Sequence, residues 1–190
     1  MFLHNTLRVW VLLSFVNMAL FESPNLDRKK LCLNKSKEEK AYAIVPFEVN
    51  WYQAFVFCRN KKMDLVIITS KEEEFKLNEE IKAYAPSNLT AFWLSAVKFG
   101  VSGFFPFIWF SDASPVIYNN WGTTNVGILQ PDNYGGNENC VVTNRITSAE
   151  VSTKRWGTFK TTTEDPLSLK MYWSDEKCEN KFAFVCQVKC

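Results

Sequence analysis

Six cysteines constrain the fold of this chain more than any other feature, because disulfides between distant positions restrict which segments can be neighbours. The six are Cys32, Cys58, Cys140, Cys178, Cys186 and Cys190. An even number of cysteines is typical of an extracellular domain with a disulfide framework, which here means three bridges. No Cys-x-x-Cys pair occurs, so a thiolate metal site is not expected. The spacing alone does not decide which cysteines pair.

The N-terminal segment has the features of a secretory signal peptide. Arg8 precedes an apolar run over residues 9–21 that is too short to span a bilayer. We therefore expect a signal peptide over residues 1–23, a loose polar leader over 24–37 and a secreted, extracellular domain over 38–190. A buried N-terminal helix is the alternative for the apolar run.

Secretion would expose two acceptor sequences to N-glycosylation. Asn34 begins the tripeptide Asn34-Lys35-Ser36, and Asn88 begins Asn88-Leu89-Thr90. A second apolar stretch, residues 99–110, is interrupted by glycines and a proline, and it predicts a pair of buried strands. No membrane insertion is expected.

The composition favours one globular domain and argues against several functions. The chain has 190 residues, of which 47% are hydrophobic and 15% aromatic, so it can bury a core. A net charge of +2 gives no reason to expect a nucleic-acid partner. The only histidine is His4, inside the predicted signal peptide, so imidazole catalysis is excluded and an enzyme is not expected. The acidic run Glu72-Glu73-Glu74 is interpreted as a solvated helix start.

Two helices are predicted early in the domain. Residues 50–53 carry a capping-box signature, and apolar positions at helical spacing follow as far as Cys58. The same signature at residues 70–73 introduces an apolar stripe that includes Tyr84, and Pro86 stops this second helix.

The remaining pattern indicates strands. Residues 40–45 and 65–68 are predicted as strands, and further short strands are expected around residues 92–94, 107–109, 140–142, 170–173 and 182–187. Two helices followed by several strands predict an α+β domain with the helices packed on antiparallel sheets. The long loops between the strands would then be ordered by disulfides and a metal ion.

A group of oxygen-bearing side chains suggests what that metal is. The group consists of Gln130, Asp132, Glu138, Ser174 and Asp175. Oxygen donors suit a hard cation such as Ca²⁺ and not zinc or copper, which prefer nitrogen and sulfur. Pro131 allows the peptide bond before it to be cis, which can turn the two flanking side chains toward one ion.

The order of several motifs resembles the C-type lectin domain over residues 38–188. The motifs are Phe92-Trp93-Leu94-Ser95, Phe107-x-Trp109-x-x-Asp112, Tyr118-x-Asn120-Trp121, Gln130-Pro131-Asp132, Glu138-x-Cys140, Trp173-Ser174-Asp175-x-x-Cys178 and Cys186. The resemblance implies a C-type lectin-like fold with bridges Cys58–Cys186 and Cys140–Cys178. Because the terminal strands of this fold lie side by side, Cys32 is expected to pair with Cys190, and an intermolecular bond is the alternative.

The resemblance also implies a sugar site. Gln130, Asp132, Glu138 and Asp175 would bind both Ca²⁺ and carbohydrate. The order Gln-Pro-Asp goes with galactose-type sugars, and Tyr134 stands where galactose-binding relatives often have an aromatic ring.

Two positions depart from the family pattern. Ser174 replaces the usual asparagine, which exchanges a long carbonyl ligand for a short hydroxyl. The step from Cys140 to Trp173 is long, so residues 144–169 are assigned to an insertion.

The sequence therefore predicts a secreted, calcium-dependent lectin that favours galactose-type sugars. Its partners would be glycans or glycoproteins, and oligomers would supply avidity. The alternative is a module that binds protein or matrix, with the metal site weakened at Ser174 and the insertion as the contact surface.

Overall fold

The structure, a computed structural model, describes residues 27–99, 106–123, 127–145 and 171–190. The predicted signal peptide and nearly all of the predicted insertion lie outside these residues. The described elements are, in chain order, α1 (Arg28–Leu31), β1 (Lys40–Val49), α2 (Trp51–Asn60), β2 (Asp64–Leu65), α3 (Lys71–Tyr84), β3 (Ala91–Lys98), β4 (Phe107–Trp109), β5 (Ser114–Pro115), a 3-10 turn (Tyr134–Gly136), β6 (Cys140–Arg145), β7 (Met171–Glu176) and β8 (Phe182–Lys189).

Strand β3 joins two parts of the sheet. On one side it pairs with β8, which also pairs with β1 and β2. The end of β3 pairs with β4 along this same edge, and the opposite edge of β3 pairs with β6, which continues to β7. The expected α+β lectin-like fold is confirmed, but the sheet is mixed, because β3 and β8 run parallel. These two strands meet across the domain and not through a hairpin, so nothing in the local sequence signals their direction.

Helix α2 begins with the predicted capping box. The Asn50 side chain accepts a hydrogen bond from the Gln53 backbone N–H, and the Gln53 side chain accepts one from the Asn50 N–H. The helix buries Trp51, Ala54 and Cys58, and the Trp51 indole donates to the Leu94 carbonyl at 2.8 Å. These contacts fix the helix against the centre of the sheet.

Helix α3 has only half of the predicted capping box. The Ser70 hydroxyl accepts from the Glu73 backbone N–H, but the Glu73 carboxylate accepts from Thr69 instead of reaching the Ser70 N–H. The apolar stripe was expected to end with Tyr84, and this is wrong because the ring lies at the last helical residue and is 73% exposed. The interpretation of Glu74 as solvated is also wrong, since its side chain is fully buried.

Three predicted segments differ in the structure. The leader contains a short helix, which Asp27 caps by accepting a hydrogen bond from the Lys29 N–H. The strand expected over residues 65–68 ends at Leu65, because the Ile67 N–H donates to the Gln187 side chain and not to a strand backbone. Of the two strands expected over 99–110, the described part holds one, β4, and residues 100–105 lie outside it.

Two further boundaries move outward. Strand β1 continues to Val49 with an irregularity after Val45. Strand β6 continues through Asn144 and Arg145, which pair with Tyr172 and Met171 on β7. The stretch between the paired strands is therefore 146–170, beginning two residues later than the predicted insertion.

The three disulfides are the expected ones. They are Cys32–Cys190, Cys58–Cys186 and Cys140–Cys178. The first joins the chain just after α1 to the residue that follows β8, and the second ties α2 to β8. The third closes a 38-residue separation and is worth about 4 kcal/mol in the chain-entropy model. It also holds the start of β6 beside the turn that follows β7.

Gly122 lies in the segment that precedes Gln130, and it allows this segment to approach β7 closely. A Cβ atom at this position would lie 2.0 Å from Cδ2 of Tyr172. We expect Gly122→Ala to lower the free energy of unfolding by about 1–3 kcal/mol through overpacking. Urea denaturation in the presence of chelator measures this change.

A double-mutant cycle separates the clash from other effects. Tyr172→Ala removes the two ring atoms that the new Cβ would meet at 2.0 and 2.6 Å and leaves only the contact with the Tyr172 Cβ atom at 2.9 Å. Adding Gly122→Ala to that variant should therefore change stability less than adding it to the wild type. Equal losses in both backgrounds would show that the close approach to Tyr172 is not the cause.

Candidate functional site

The predicted ligand set lies around one surface cavity of about 410 Å³. The cavity is bounded by the loop before β6 on one side and by the end of β7 on the other. Its lining includes every predicted site residue, namely Gln130, Asp132, Tyr134, Glu138, Ser174 and Asp175. The loop and the strand are brought together by the β6–β7 pairing and by the bridge between Cys140 and Cys178.

Three carboxylates converge in this cavity. One oxygen each of Asp132, Glu138 and Asp175 lies within 4.8 Å of the other two. Asp175 is 2% exposed, and its two oxygens accept hydrogen bonds from the backbone N–H groups of Asp132 at 3.0 Å and Asn133 at 2.9 Å. Asp175 therefore fixes the loop against β7 and at the same time presents its charge to the cavity.

The loop is also ordered by Glu138 and Asn133. The Glu138 carboxylate accepts from the Tyr134 N–H at 2.7 Å, and the Asn133 side chain accepts from the Glu138 N–H at 3.1 Å. Asn133 has a left-handed backbone (φ 49°), a conformation that asparagine tolerates better than most residues. The tight turn places the Glu138 and Asp132 side chains on the same side of the loop.

The electrostatics of this cluster are unfavourable without a cation. The pKa of Glu138 is raised to about 7, chiefly by burial and also by the nearby charges of Asp175, Glu176 and Asp132, whereas the hydrogen bond from the Tyr134 N–H lowers it. Burial also raises the pKa of Asp175 and that of Glu176, and the charge of Asp132 adds to both shifts. A group of buried carboxylates that repel one another would be stabilised by a divalent cation.

Gln130 adds a neutral oxygen that has no hydrogen-bond partner. Its side-chain Oε1 is buried and unpaired among the described residues, whereas its backbone N–H donates to the Gly122 carbonyl at 3.0 Å. The Gln130–Pro131 peptide bond is cis, as expected. A neutral carbonyl oxygen and three carboxylates, on residues that line one cavity, make up the donor set that a hard cation such as Ca²⁺ prefers. The residues present therefore fit the ion.

Without a bound cation, the raised pKa of Glu138 should make the fold less stable as the pH rises. The folded state keeps the proton until about pH 7, whereas the ordinary pKa is 4.5. The penalty is therefore absent below the ordinary pKa and complete above the folded one. We expect Glu138→Gln, which stays neutral, to lose less stability than the wild type between about pH 5 and pH 8 in chelator. Urea denaturation across this range tests it, and identical pH profiles would contradict it.

The last two predicted residues lie at the edge of the cluster. Ser174 is 8% exposed, and its hydroxyl accepts a hydrogen bond from the Asn144 side chain at 2.8 Å. Tyr134 is 75% exposed on the cavity rim. The tyrosine ring is therefore free to contact a bound molecule from the solvent side.

Sequence reasoning missed some of the cavity lining. Asn144, Tyr172 and Glu176 line it together with Ile128. Asn144 was assigned to the insertion, yet it lies on β6 and shares a face with Val142 and Cys140 by alternation. Extending the alternating pattern of β6 by two residues would have found it.

Known proteins match both this sequence and this fold. A family model described as "Lectin C-type domain" matches residues 48–188. The chain therefore belongs to the C-type lectin domain family, which is a carbohydrate-binding and non-enzymatic family.

Two curated insect proteins are similar in sequence. "C-type lectin 37Da" of Drosophila melanogaster is 32% identical over 105 residues, which are 54% of this chain and 50% of that protein. The chain thus matches only about half the length of that relative. "Salivary C-type lectin 2" of Aedes albopictus is 24% identical over 165 residues, which are 83% of this chain and 89% of that protein.

Two solved structures show the same fold. The "Mouse Scavenger Receptor C-type Lectin carbohydrate-recognition domain" has a TM-score of 0.55 at 23% identity, covering 82% of this chain and 94% of its own. A "calcium-independent type II antifreeze protein" has a TM-score of 0.51 at 21% identity, covering 79% of this chain and 86% of its own. Among the helices of the described residues, none is long and apolar enough to cross a membrane.

Proposed function

We propose that this protein is a calcium-dependent lectin that favours galactose-type sugars. One observation carries the proposal more than any other. Gln130, whose side-chain oxygen is buried and unpaired among the described residues, lines the same cavity as the three converging carboxylates of Asp132, Glu138 and Asp175. This donor set combines charge to hold a hard cation with a neutral oxygen, and it opens to the solvent through a cavity large enough for a monosaccharide.

The side chains of the site would bind the ion through their charges and the sugar through hydrogen bonds. Gln130, Asp132, Glu138 and Asp175 would hold Ca²⁺, with Ser174 as a further oxygen at the edge. The bound ion would supply open coordination positions for two sugar hydroxyls. Asp132 and Glu138 accept hydrogen bonds when ionised, whereas the Gln130 amide can also donate. Hydroxyls at the site would therefore find acceptors on one side and a donor on the other.

Two features support galactose-type sugars over mannose-type sugars. The donor-bearing Gln130 precedes the acceptor Asp132, the order that the family resemblance connects with galactose. Tyr134 is 75% exposed on the rim, where its ring can cover the apolar face of a sugar.

Calorimetry tests the function directly. Galactose and mannose are titrated separately into the protein, with calcium and with chelator. We expect galactose to bind only when calcium is present. The expected dissociation constant is about 1 mM, which corresponds to a binding free energy of about −4 kcal/mol. If neither sugar binds in the presence of calcium, the proposed function is wrong. Binding to a protein partner that persists in chelator and excess sugar would support the alternative of a protein- or matrix-binding module.

Exchanging the polarity of the two residues that flank Pro131 should change the sugar preference. The variant Gln130→Glu with Asp132→Asn moves the amide donor from one side of the proline to the other and keeps the total charge. We expect the ratio of galactose to mannose affinity to fall by about tenfold or more, since each hydroxyl then meets the wrong partner. Calorimetry with both sugars measures the ratio, and Tyr134→Phe is the control that keeps the ring. An unchanged ratio in the double variant would contradict the assignment.

The remaining expectations belong to the same function. We propose that the chain is secreted after loss of residues 1–23, which agrees with three disulfides in the domain. Asn34 and Asn88 are both exposed and could carry N-glycans. Glycoproteins or glycans would be the partners. Because one weak site gives low affinity, oligomers or clustered ligands would supply avidity.

A further inference from the structure

Asn144 on β6 is a polar residue that lines the cavity from outside the predicted ligand set. Its side-chain Nδ2 lies 2.8 Å from the Ser174 hydroxyl and 3.4 Å from the Tyr172 carbonyl, both on β7. Asn144 pairs directly with Tyr172 in the strand register, and Val142 pairs with Ser174. The carboxamide therefore crosses diagonally from one strand to the next, on the face that lines the cavity.

This contact determines how the Ser174 hydroxyl can be used. A hydroxyl has one hydrogen to donate and two lone pairs that can accept. The Asn144 N–H occupies one lone pair, which leaves the second lone pair and the hydrogen. Ser174 is 8% exposed, so water has little access to its hydroxyl. The side chain is short, and without a partner its hydroxyl could rotate so that the hydrogen faced the cation.

We infer that Asn144 is a positioning residue of this site, which fixes the Ser174 hydroxyl with an oxygen lone pair available to the cation. The inference rests on the proposed calcium function and adds a residue on a strand that contributes none of the predicted ligands. Asn144 and Ser174 would act as one unit, because neither side chain alone supplies a correctly oriented oxygen. Partners that orient a metal ligand typically change affinity by roughly 10–100-fold when they are removed.

Calcium titration calorimetry on the full chain tests this unit. We expect Asn144→Ala and Ser174→Ala each to weaken calcium binding by about tenfold. The double variant should be no weaker than either single one, since both changes remove the same interaction. An asparagine at position 174 carries its own carbonyl oxygen and its own amide, so Ser174→Asn should restore calcium binding in the Asn144→Ala background.

The controls separate positioning from a structural role. Melting temperatures in chelator should be nearly equal for wild type, Asn144→Ala and Ser174→Ala, because the pair lies at the edge of the core. Thr143→Val changes the neighbouring residue on the opposite face of β6 and should leave calcium affinity unchanged. If Asn144→Ala proves too unstable to titrate, Asn144→Leu, which keeps a side chain of similar size but cannot donate to Ser174, takes its place in every comparison.

Two negative results can be told apart. If the wild type does not bind calcium, the proposed function fails and this inference fails with it. If the wild type binds calcium and Asn144→Ala binds it equally well, only the role of Asn144 is overturned. If the losses of calcium affinity in the two single variants add up in the double variant, the two residues act independently. That result would also overturn the inference that they act as one unit.

Discussion

We expect calcium to raise the melting temperature of the wild type, and we expect Asp175→Asn to abolish this rise. Asp175 supplies a buried charge to the cluster, and both of its oxygens hold the loop by accepting from Asp132 and Asn133. Asparagine keeps the size of the side chain but removes the charge and turns one acceptor into a donor. A cation at a hundredfold its dissociation constant stabilises a fold by about 2.7 kcal/mol, which corresponds to about 5–10 °C for a chain of this length. Differential scanning fluorimetry with calcium and with chelator measures the shift.

Glu179→Gln is the matched control for this experiment. Glu179 is an exposed acid four positions further along the chain, in the turn after β7, so its loss changes the net charge equally. Its calcium shift should equal that of the wild type, since an exposed charge contributes little at this distance. A full calcium shift in Asp175→Asn would show that the converging carboxylates are not the metal site. If both variants lost the calcium-dependent shift equally, the shift would depend on the net charge of the protein and not on ligation of the ion by Asp175.

Local sequence signals predicted the parts of the fold that local interactions determine. The capping box at Asn50 formed because its two partners are three residues apart, and both can be read from the sequence. The strand expected over residues 65–68 failed because a side chain from β8, Gln187, takes the hydrogen bond of Ile67. That partner lies 120 residues away in sequence, and no periodicity in the segment reports it. The parallel direction of β3 and β8 is non-local for the same reason.

The cluster of carboxylates was predictable from the chemistry of its residues together with the family resemblance, which implied the bridge between Cys140 and Cys178. Oxygen-bearing side chains on two distant segments, each next to a cysteine, indicated that Asp132, Glu138 and Asp175 would converge, and the structure places their oxygens together. Asn144 could not be found in this way, because its role depends on a strand register. Glu74 was misread for a different reason. Its neighbours Glu72 and Glu73 suggested a solvated run, yet the helix turns only Glu74 toward the core.

Glu74→Ala is expected to destabilise the fold strongly, although Glu74 lies far in sequence from the residues that line the cavity. Its carboxylate is fully buried and accepts hydrogen bonds from the Tyr118 hydroxyl at 2.5 Å, the Asn120 side chain at 3.1 Å and the Trp173 indole at 2.8 Å. Burial raises the pKa of Glu74, and these three donors oppose the shift. Alanine would leave the Tyr118 hydroxyl and the Trp173 indole without this acceptor, and the Asn120 amide would keep only its hydrogen bond to the Met171 carbonyl. Because these donors would surround a cavity, we expect a loss of about 3–5 kcal/mol in the free energy of unfolding. Urea denaturation in chelator measures it.

The same change should weaken the site through the backbone that Glu74 holds. The Trp173 backbone N–H donates to the Asn120 carbonyl, the Trp173 carbonyl accepts from the Gly122 N–H, and the Gly122 carbonyl accepts from the Gln130 N–H. Loss of the buried anchor would therefore loosen both segments that carry the ligands, and calcium affinity should fall together with stability.

Two control variants distinguish the buried acceptor from the acidic run. Glu74→Gln keeps the volume and one acceptor oxygen, and its new amide can donate to Tyr118, so it should lose only about 1–2 kcal/mol and retain most of the calcium affinity. Glu72→Ala changes an exposed acid in the same helical turn and should alter stability by less than about 1 kcal/mol. If Glu74→Ala were no worse than Glu72→Ala, the three hydrogen bonds would not hold this region together. If Glu74→Ala lost stability but bound calcium with wild-type affinity, the backbone hydrogen bonds that lead to Gln130 would not affect the site.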